Sequence, residues 1–164
     1  MKLNLLLIGL IFLISCQTKT AQEVTTPLPQ GITLVEKTDA EWRSELTAME
    51  YKVLRKAGTE RPGTGDLLNN KDEGVYTCRG CDLPLFKSDT KFESGTGWPS
   101  YYEPYNAVNV EEDTDYILGY ARTEVHCVRC KGHLGHVFPD GPPPTGLRYF
   151  INSVSLDFKS KEEQ

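Results

Sequence analysis

GLRYFINSVSLDF, residues 146–158, decides the fold class. Phe150, Asn152, Val154, Leu156 and Phe158 fall on one face of an extended chain, and Tyr149, Ile151, Ser153, Ser155 and Asp157 on the other. The first set is mostly apolar, which predicts a single strand with Phe150 turned into the core. The same pattern recurs upstream in VYTC, LPLF and YILGYARTEV, short runs bounded by Gly, Pro, Asn and Asp. Fourteen Gly and ten Pro among 164 residues fit the frequent turns of antiparallel β structure better than a helical bundle.

Helical spacing is confined to the stretch before residue 60. Thr38-Asp39-Ala40-Glu41 reads as a capping box. Trp42, Leu46, Met49 and Val53 follow at helical spacing toward a stop at Gly58, and they read as a core stripe. Thr47-Ala48-Met49-Glu50 is a second box, so the pattern predicts two short helices with a break near Thr47. Glu111, Glu112, Asp113 and Asp115 read as a solvated loop. A chain that is 38% apolar and 25% charged can build a real core. Its net charge of -5, with no run of Lys and Arg, argues against a nucleic-acid or anionic-membrane surface.

The opening segment MKLNLLLIGLIFLISC reads as a leader rather than as fold. One Lys precedes an apolar run, Leu5 to Ile14, that is too short to span a bilayer comfortably. It ends in Leu13-Ile14-Ser15-Cys16, which resembles the lipobox of bacterial lipoproteins, where the signal is cut before the Cys and the thiol receives lipid. The resemblance implies an exported bacterial lipoprotein, held on a cell-envelope membrane through Cys16 and facing the periplasm or the exterior. A plain signal peptide with an incidental Cys is the competing reading. Residues 1–15 are then the signal and residues 16–34 a flexible polar tether. Residues 35–160 form the domain and residues 161–164 a polar tail.

Beyond Cys16 stand two matched pairs, Cys78-x-x-Cys81 and Cys127-x-x-Cys130, with 45 residues between them. Each Cys-x-x-Cys makes a tight knuckle that aims two thiolates at one ion, and two knuckles complete a closed tetrahedral site for one structural zinc. Gly80 and Gly132 are expected to ease the turns. Disulfides suit an exported protein, and one pair could be a redox dithiol. The matched spacing favours the metal.

Three longer stretches now carry a resemblance: GTERPGTG (residues 58–65), GVYTCRGCDLPLFKSDTKFESGTGWPSYYEP (residues 74–104) and TEVHCVRCKGHLGHVFPDGPPPTGLRYFINSVSLDF (residues 123–158). Together they resemble the type B methionine sulfoxide reductases, which reduce the R epimer of methionine sulfoxide. The most specific part is Ser94-Gly95-Thr96-Gly97-Trp98-Pro99-Ser100 combined with Gly132-His133-Leu134-Gly135-His136-Val137-Phe138. The resemblance implies a mainly β fold, with two small antiparallel sheets in a barrel-like arrangement and N-terminal helices. It puts the zinc knuckles at one end and the pocket on the other side. It also implies oxidised methionine in proteins or peptides as substrate, and an external thiol as reductant.

A sulfoxide is a polar S=O flanked by apolar carbons, so its pocket needs an aromatic wall and hydrogen-bond donors. By resemblance, Trp98 and Phe138 supply the wall, and His133, His136 and Asn152 organise the hydrogen bonds that make sulfur electrophilic. Arg148 would stabilise a nearby thiolate. In the family that thiolate, or a selenolate, stands third in an Arg-aromatic-Cys-Ile-Asn-Ser stretch and attacks the sulfoxide sulfur. Here the stretch is Arg148-Tyr149-Phe150-Ile151-Asn152-Ser153, so Phe150 occupies the nucleophile position. Thr96 occupies the position of the resolving Cys.

The five Cys of the chain leave no substitute, with Cys16 assigned to lipid and four to metal. The sequence therefore predicts a family member with lost or greatly reduced activity, its pocket narrowed by a ring larger than a thiol. A non-catalytic binding module using the Trp98/Phe138 aromatic pocket, or a zinc-stabilised structural envelope lipoprotein, are the alternatives.

Overall fold

The computed structural model describes residue 29 and residues 31–116 and 118–163. The expected signal, Cys16 and most of the expected tether lie outside the described residues. Ile32, placed in that tether, packs partly buried against the core. No helix among the described residues is long and apolar enough to cross a membrane.

Both predicted capping boxes form. Thr38 Oγ1 accepts from the Glu41 N–H while the Glu41 carboxylate accepts from the Thr38 N–H, opening α1 (Asp39–Glu45). Thr47 and Glu50 repeat the exchange to open α2 (Ala48–Lys56). Of the predicted stripe, Trp42, Leu46 and Val53 are buried and Met49 is exposed. Helix α2 is capped by Ala57 in the left-handed region, one residue before the expected Gly58.

Beyond the helices, the described residues form two antiparallel sheets joined by loops and short 3-10 turns. The smaller joins β1 (Gly74–Cys78), β2 (Pro84–Lys87) and β9 (Leu156–Ser160) in the order β2-β1-β9. The larger contains β3 (Lys91–Phe92), β4 (Ser100–Tyr101), β5 (Val110–Asp115), β6 (Arg122–Cys127), β7 (His133–Phe138) and β8 (Arg148–Ile151). Its order is β3-β4-β8-β7-β6-β5. The core is strongly aromatic: Phe86 stacks on Tyr101 at 4.4 Å between ring centroids, and Tyr76 meets Tyr101 edge-on at 5.2 Å. The expected polar tail begins as a short 3-10 turn, Lys161–Glu163.

Residues 146–158 are not one strand. Strand β8 ends at Ile151, a 3-10 turn spans Ser153–Ser155, and β9 continues in the other sheet. Two groups hold this crossing. The Glu60 carboxylate accepts from the Ser153 N–H (2.6 Å) and the Val154 N–H (3.1 Å). The Asn152 side chain accepts from the Glu60 N–H (3.0 Å) and donates to the Leu134 carbonyl (2.9 Å).

The buried face of β8 is also the reverse of the expected one. Tyr149 and Ile151 are buried, whereas Arg148 and Phe150 are only half-buried on the other side. Phe86 and Tyr101 supply the aromatic core against which the Tyr149 face packs. Two further expectations are corrected. The acidic run is strand β5, with Asp115 buried, and the described residues of YILGYARTEV are strand only from Arg122 onward.

Candidate active site and metal centre

The two Cys knuckles come from different sheets. The first follows β1 and the second is the turn of the β6–β7 hairpin. Their thiols nevertheless meet in one cluster. Cys78 Sγ lies 3.6 Å from Cys130 Sγ, and Cys81 Sγ lies 3.5 Å from Cys127 Sγ. All four thiols are free of disulfides. Metal–sulfur bonds of about 2.3 Å in a tetrahedron place sulfurs about 3.8 Å apart, so this set fits one four-coordinate ion. Crowding supplies a reason for the ion: the Cys127 and Cys130 thiols, together with burial, push the Cys78 thiol up. A cation reverses that preference by favouring thiolates. The turns do not use their glycines for left-handed backbone. Asp82 (φ 61°) and Lys131 (φ 57°) adopt it instead.

The six-stranded sheet also carries a cavity of about 300 Å³, lined by none of the four Cys. Trp98, Phe150, His133, His136, Glu124 and Asp115 are among its lining residues. Register explains the grouping, because Phe150 on β8 opposes His136 on β7, which opposes Glu124 on β6. Gly135 permits the close pairing of β7 and β8, since a Cβ there would lie 1.9 Å from the Phe150 carbonyl oxygen. Trp98 is oriented by its indole N–H, which donates to the Glu60 carbonyl at 3.1 Å.

Phe150 projects into this space. Its ring meets Trp98 edge-on at 4.7 Å and lies nearly parallel to His136 at 6.3 Å. The other expected pocket residues are less central. Phe138 sits 6.3 Å from His136, and its ring is covered by the Arg148 guanidinium at 4.8 Å. Arg148 is held by both oxygens of Asp140 at 2.9 Å. Asn152 is fully buried, and its amide ties Glu60 to Leu134. Thr96 is exposed and shares a hydroxyl chain with Ser94 and Ser100 (2.8 and 2.7 Å).

Four charged residues of the site escaped sequence reading. His133 Nδ1 contacts the Glu124 carboxylate, and His136 Nε2 contacts that of Asp115. Arg122 in turn grips both Asp115 oxygens at 2.9 and 3.0 Å. These carboxylates select the ring orientation of each imidazole. Burial nonetheless holds His133 below the ordinary histidine range, against the pull of Glu124. The fourth is Glu60, whose own burial raises its carboxyl above the usual value. Asp115 was hidden in an acidic run, and Glu60 sat in GTERPGTG without an assigned role. The alternation of Arg122, Glu124 and His126 was the available signal for Glu124.

The SelR domain family matches residues 46–160 of this chain. The chain is 59% identical over 131 residues to the peptide methionine sulfoxide reductase MsrB of Methanosarcina barkeri, which covers 79% of this chain and 91% of that protein. It is 58% identical over 126 residues to the MsrB of Thiobacillus denitrificans (77% and 96%). With the MsrB of Agrobacterium fabrum the identity is 57% over 125 residues (76% and 93%).

Proposed function

The chain belongs to the MsrB family of peptide methionine sulfoxide reductases, and from that premise we propose that it is a member whose reductase activity is lost or greatly reduced. The family reaction is the thiol-dependent reduction of protein-bound methionine-R-sulfoxide to methionine. A thiolate donates an electron pair to the sulfoxide sulfur, methionine departs, and the oxygen stays on the enzyme as a sulfenic acid. A resolving or external thiol then condenses with the sulfenic acid, releasing water and forming a disulfide with the enzyme sulfur, and a further thiol reduces that disulfide to free the enzyme thiol. The observation that carries the proposal is that Phe150, which the resemblance aligns with the family's nucleophile, faces Trp98 and His136 in the cavity. A phenyl ring has no electron pair to give. The four thiols among the described residues form the metal cluster. Zinc is the ion that best matches four thiolates in a closed tetrahedron.

The test is turnover of methionine-R-sulfoxide by the metal-loaded protein with dithiothreitol. Negligible turnover is expected, and robust turnover would show that the nucleophile lies elsewhere. The cavity favours one second reading, a non-catalytic binding module. Its aromatic wall would be Trp98 and Phe150 in place of the expected Trp98/Phe138 pair. Saturable binding of a methionine-R-sulfoxide peptide without turnover would support it. The lipobox-like Leu13-Ile14-Ser15-Cys16 further supports an exported lipoprotein anchored through Cys16. Cys16→Ala is then expected to shift the protein from the membrane fraction to the soluble one.

A further inference from the structure

We propose that Glu124, His126 and His133 form a second metal site, for a first-row divalent cation such as Zn²⁺, Co²⁺ or Ni²⁺, at the wall of the cavity. Each offers one ligand atom, and the three atoms lie within 4.8 Å of one another. The β6–β7 hairpin produces the grouping. Glu124 and His126 are two residues apart on one strand and so share a face. His133 is the cross-strand partner of His126, just where a register shift after Val125 distorts the ladder. The His126 and His133 rings stand 6.1 Å apart at 70°, splayed around the carboxylate instead of stacked on each other. Glu124 Oε1 is 3.0 Å from His126 Nε2 and also contacts His133 Nδ1.

The chemistry of the set defines its ligand. Two imidazoles and one carboxylate suit first-row divalent ions and leave coordination positions open. They differ in softness from the four sulfurs and share no residue with them. The three side chains are shielded but not sealed, at 12%, 22% and 4% relative exposure for Glu124, His126 and His133. Glu124 and His133 also line the cavity, so a remaining position would face a water or an oxygen-bearing ligand there. One carboxylate serves two imidazoles, a convergence of three donor atoms that a single cation would satisfy together. The proposal is independent of whether reductase activity survives.

The test is metal counting on the full chain saturated with Co²⁺ and freed of excess, paired with its absorption spectrum. Two cobalt ions per chain are expected. The thiolate-to-cobalt charge-transfer band should saturate at the first equivalent, and the second should add only weak ligand-field absorption. The Glu124→Gln, His126→Ala double variant should bind one ion with the thiolate band unchanged, which also reports that it is folded. Should that variant lose both ions, His126→Ala alone decides. It should weaken the second ion by at least the roughly 10–100-fold that loss of a mere outer-sphere partner costs. A parent that binds a single cobalt overturns the proposal, as does a second ion that binds equally well in the variants.

Discussion

The four-thiol cluster and the cavity hang on the same β6–β7 hairpin, and they have been treated differently. The cluster keeps every donor its geometry requires. The cavity holds Trp98, His133 and His136, with Asp115, Glu124 and Arg122 behind them, and has Phe150 at the position that the reading proposed above gives to the nucleophile. The difference follows from what each group holds. Each knuckle thiol belongs to a cluster that joins two sheets, so a missing thiol releases backbone. The side chain at 150 projects from the solvent-facing side of β8 into a cavity, so its exchange leaves the ladder with β4 and β7 intact. Binding and scaffold are coupled in the first region and separable in the second.

The most severe way to break the contrast is Cys127→Ser. Removing one of four ligands should abolish tight metal binding and, with it, the cooperative thermal transition, because metal-binding energy here is folding energy. Calorimetry and metal analysis of the purified variant check this. A well-folded, metal-free Cys127→Ser protein would make the cluster dispensable.

Next in size is Gly135→Ala, whose new methyl would collide with the Phe150 carbonyl 1.9 Å away. Backbone cannot yield as a side chain does, so a loss of about 3 kcal/mol or more in denaturant unfolding is expected. A neutral result would mean that β7 and β8 separate freely.

Phe150→Cys sharpens the contrast from the other side. It should cost about 1 kcal/mol, chiefly the edge-on contact with Trp98. It should also confer measurable turnover of methionine-R-sulfoxide with dithiothreitol, since preorganised surroundings are the part hardest to rebuild. Thr96 would keep that turnover dependent on the external reductant. A folded, metal-loaded, inactive variant would show that the surrounding groups have drifted as well.

The smallest effect concerns Glu60. Burial raises its carboxyl above the usual 4.5, so the folded state holds this proton more tightly than the unfolded chain does. The contribution of Glu60 to stability is therefore fully present below pH 4.5 and declines as pH rises through the raised value. Denaturation curves across that window should flatten in Glu60→Gln relative to the parent. An unchanged slope would remove Glu60 as its source.

The sequence disclosed features whose partners are local or whose spacing is rigid. The two capping boxes are three-residue exchanges, and the Cys knuckles carry their geometry in their spacing. Features completed by distant partners stayed hidden. The sheet crossing after Ile151 has no Gly or Pro to mark it, because Glu60 satisfies its amides from 93 residues away. Alternation gave β8 its period but not its buried face, which depends on Phe86 and Tyr101. Asp115 looked like one more surface acid until Arg122 and His136 closed on it. Asn152 fell in the expected group, but its amide binds scaffold segments.

The distribution of the knuckles between the sheets has a kinetic and entropic side. An ion bound to all four thiols closes the chain between Cys81 and Cys127, a loop of 45 residues. Closing such a loop costs an unfolded chain roughly 3 kcal/mol, growing only with the logarithm of its length. The fold closes this loop before all four thiols can meet, so four-thiolate binding is collected only once both sheets have docked and is set against that closure cost. A chain that captured the ion at one knuckle would hold two thiolates and wait for the other sheet. Lengthening the segment from residue 82 to 126 by a flexible surface insertion would lower the stability of the metal-bound fold by a few tenths of a kcal/mol without touching a ligand.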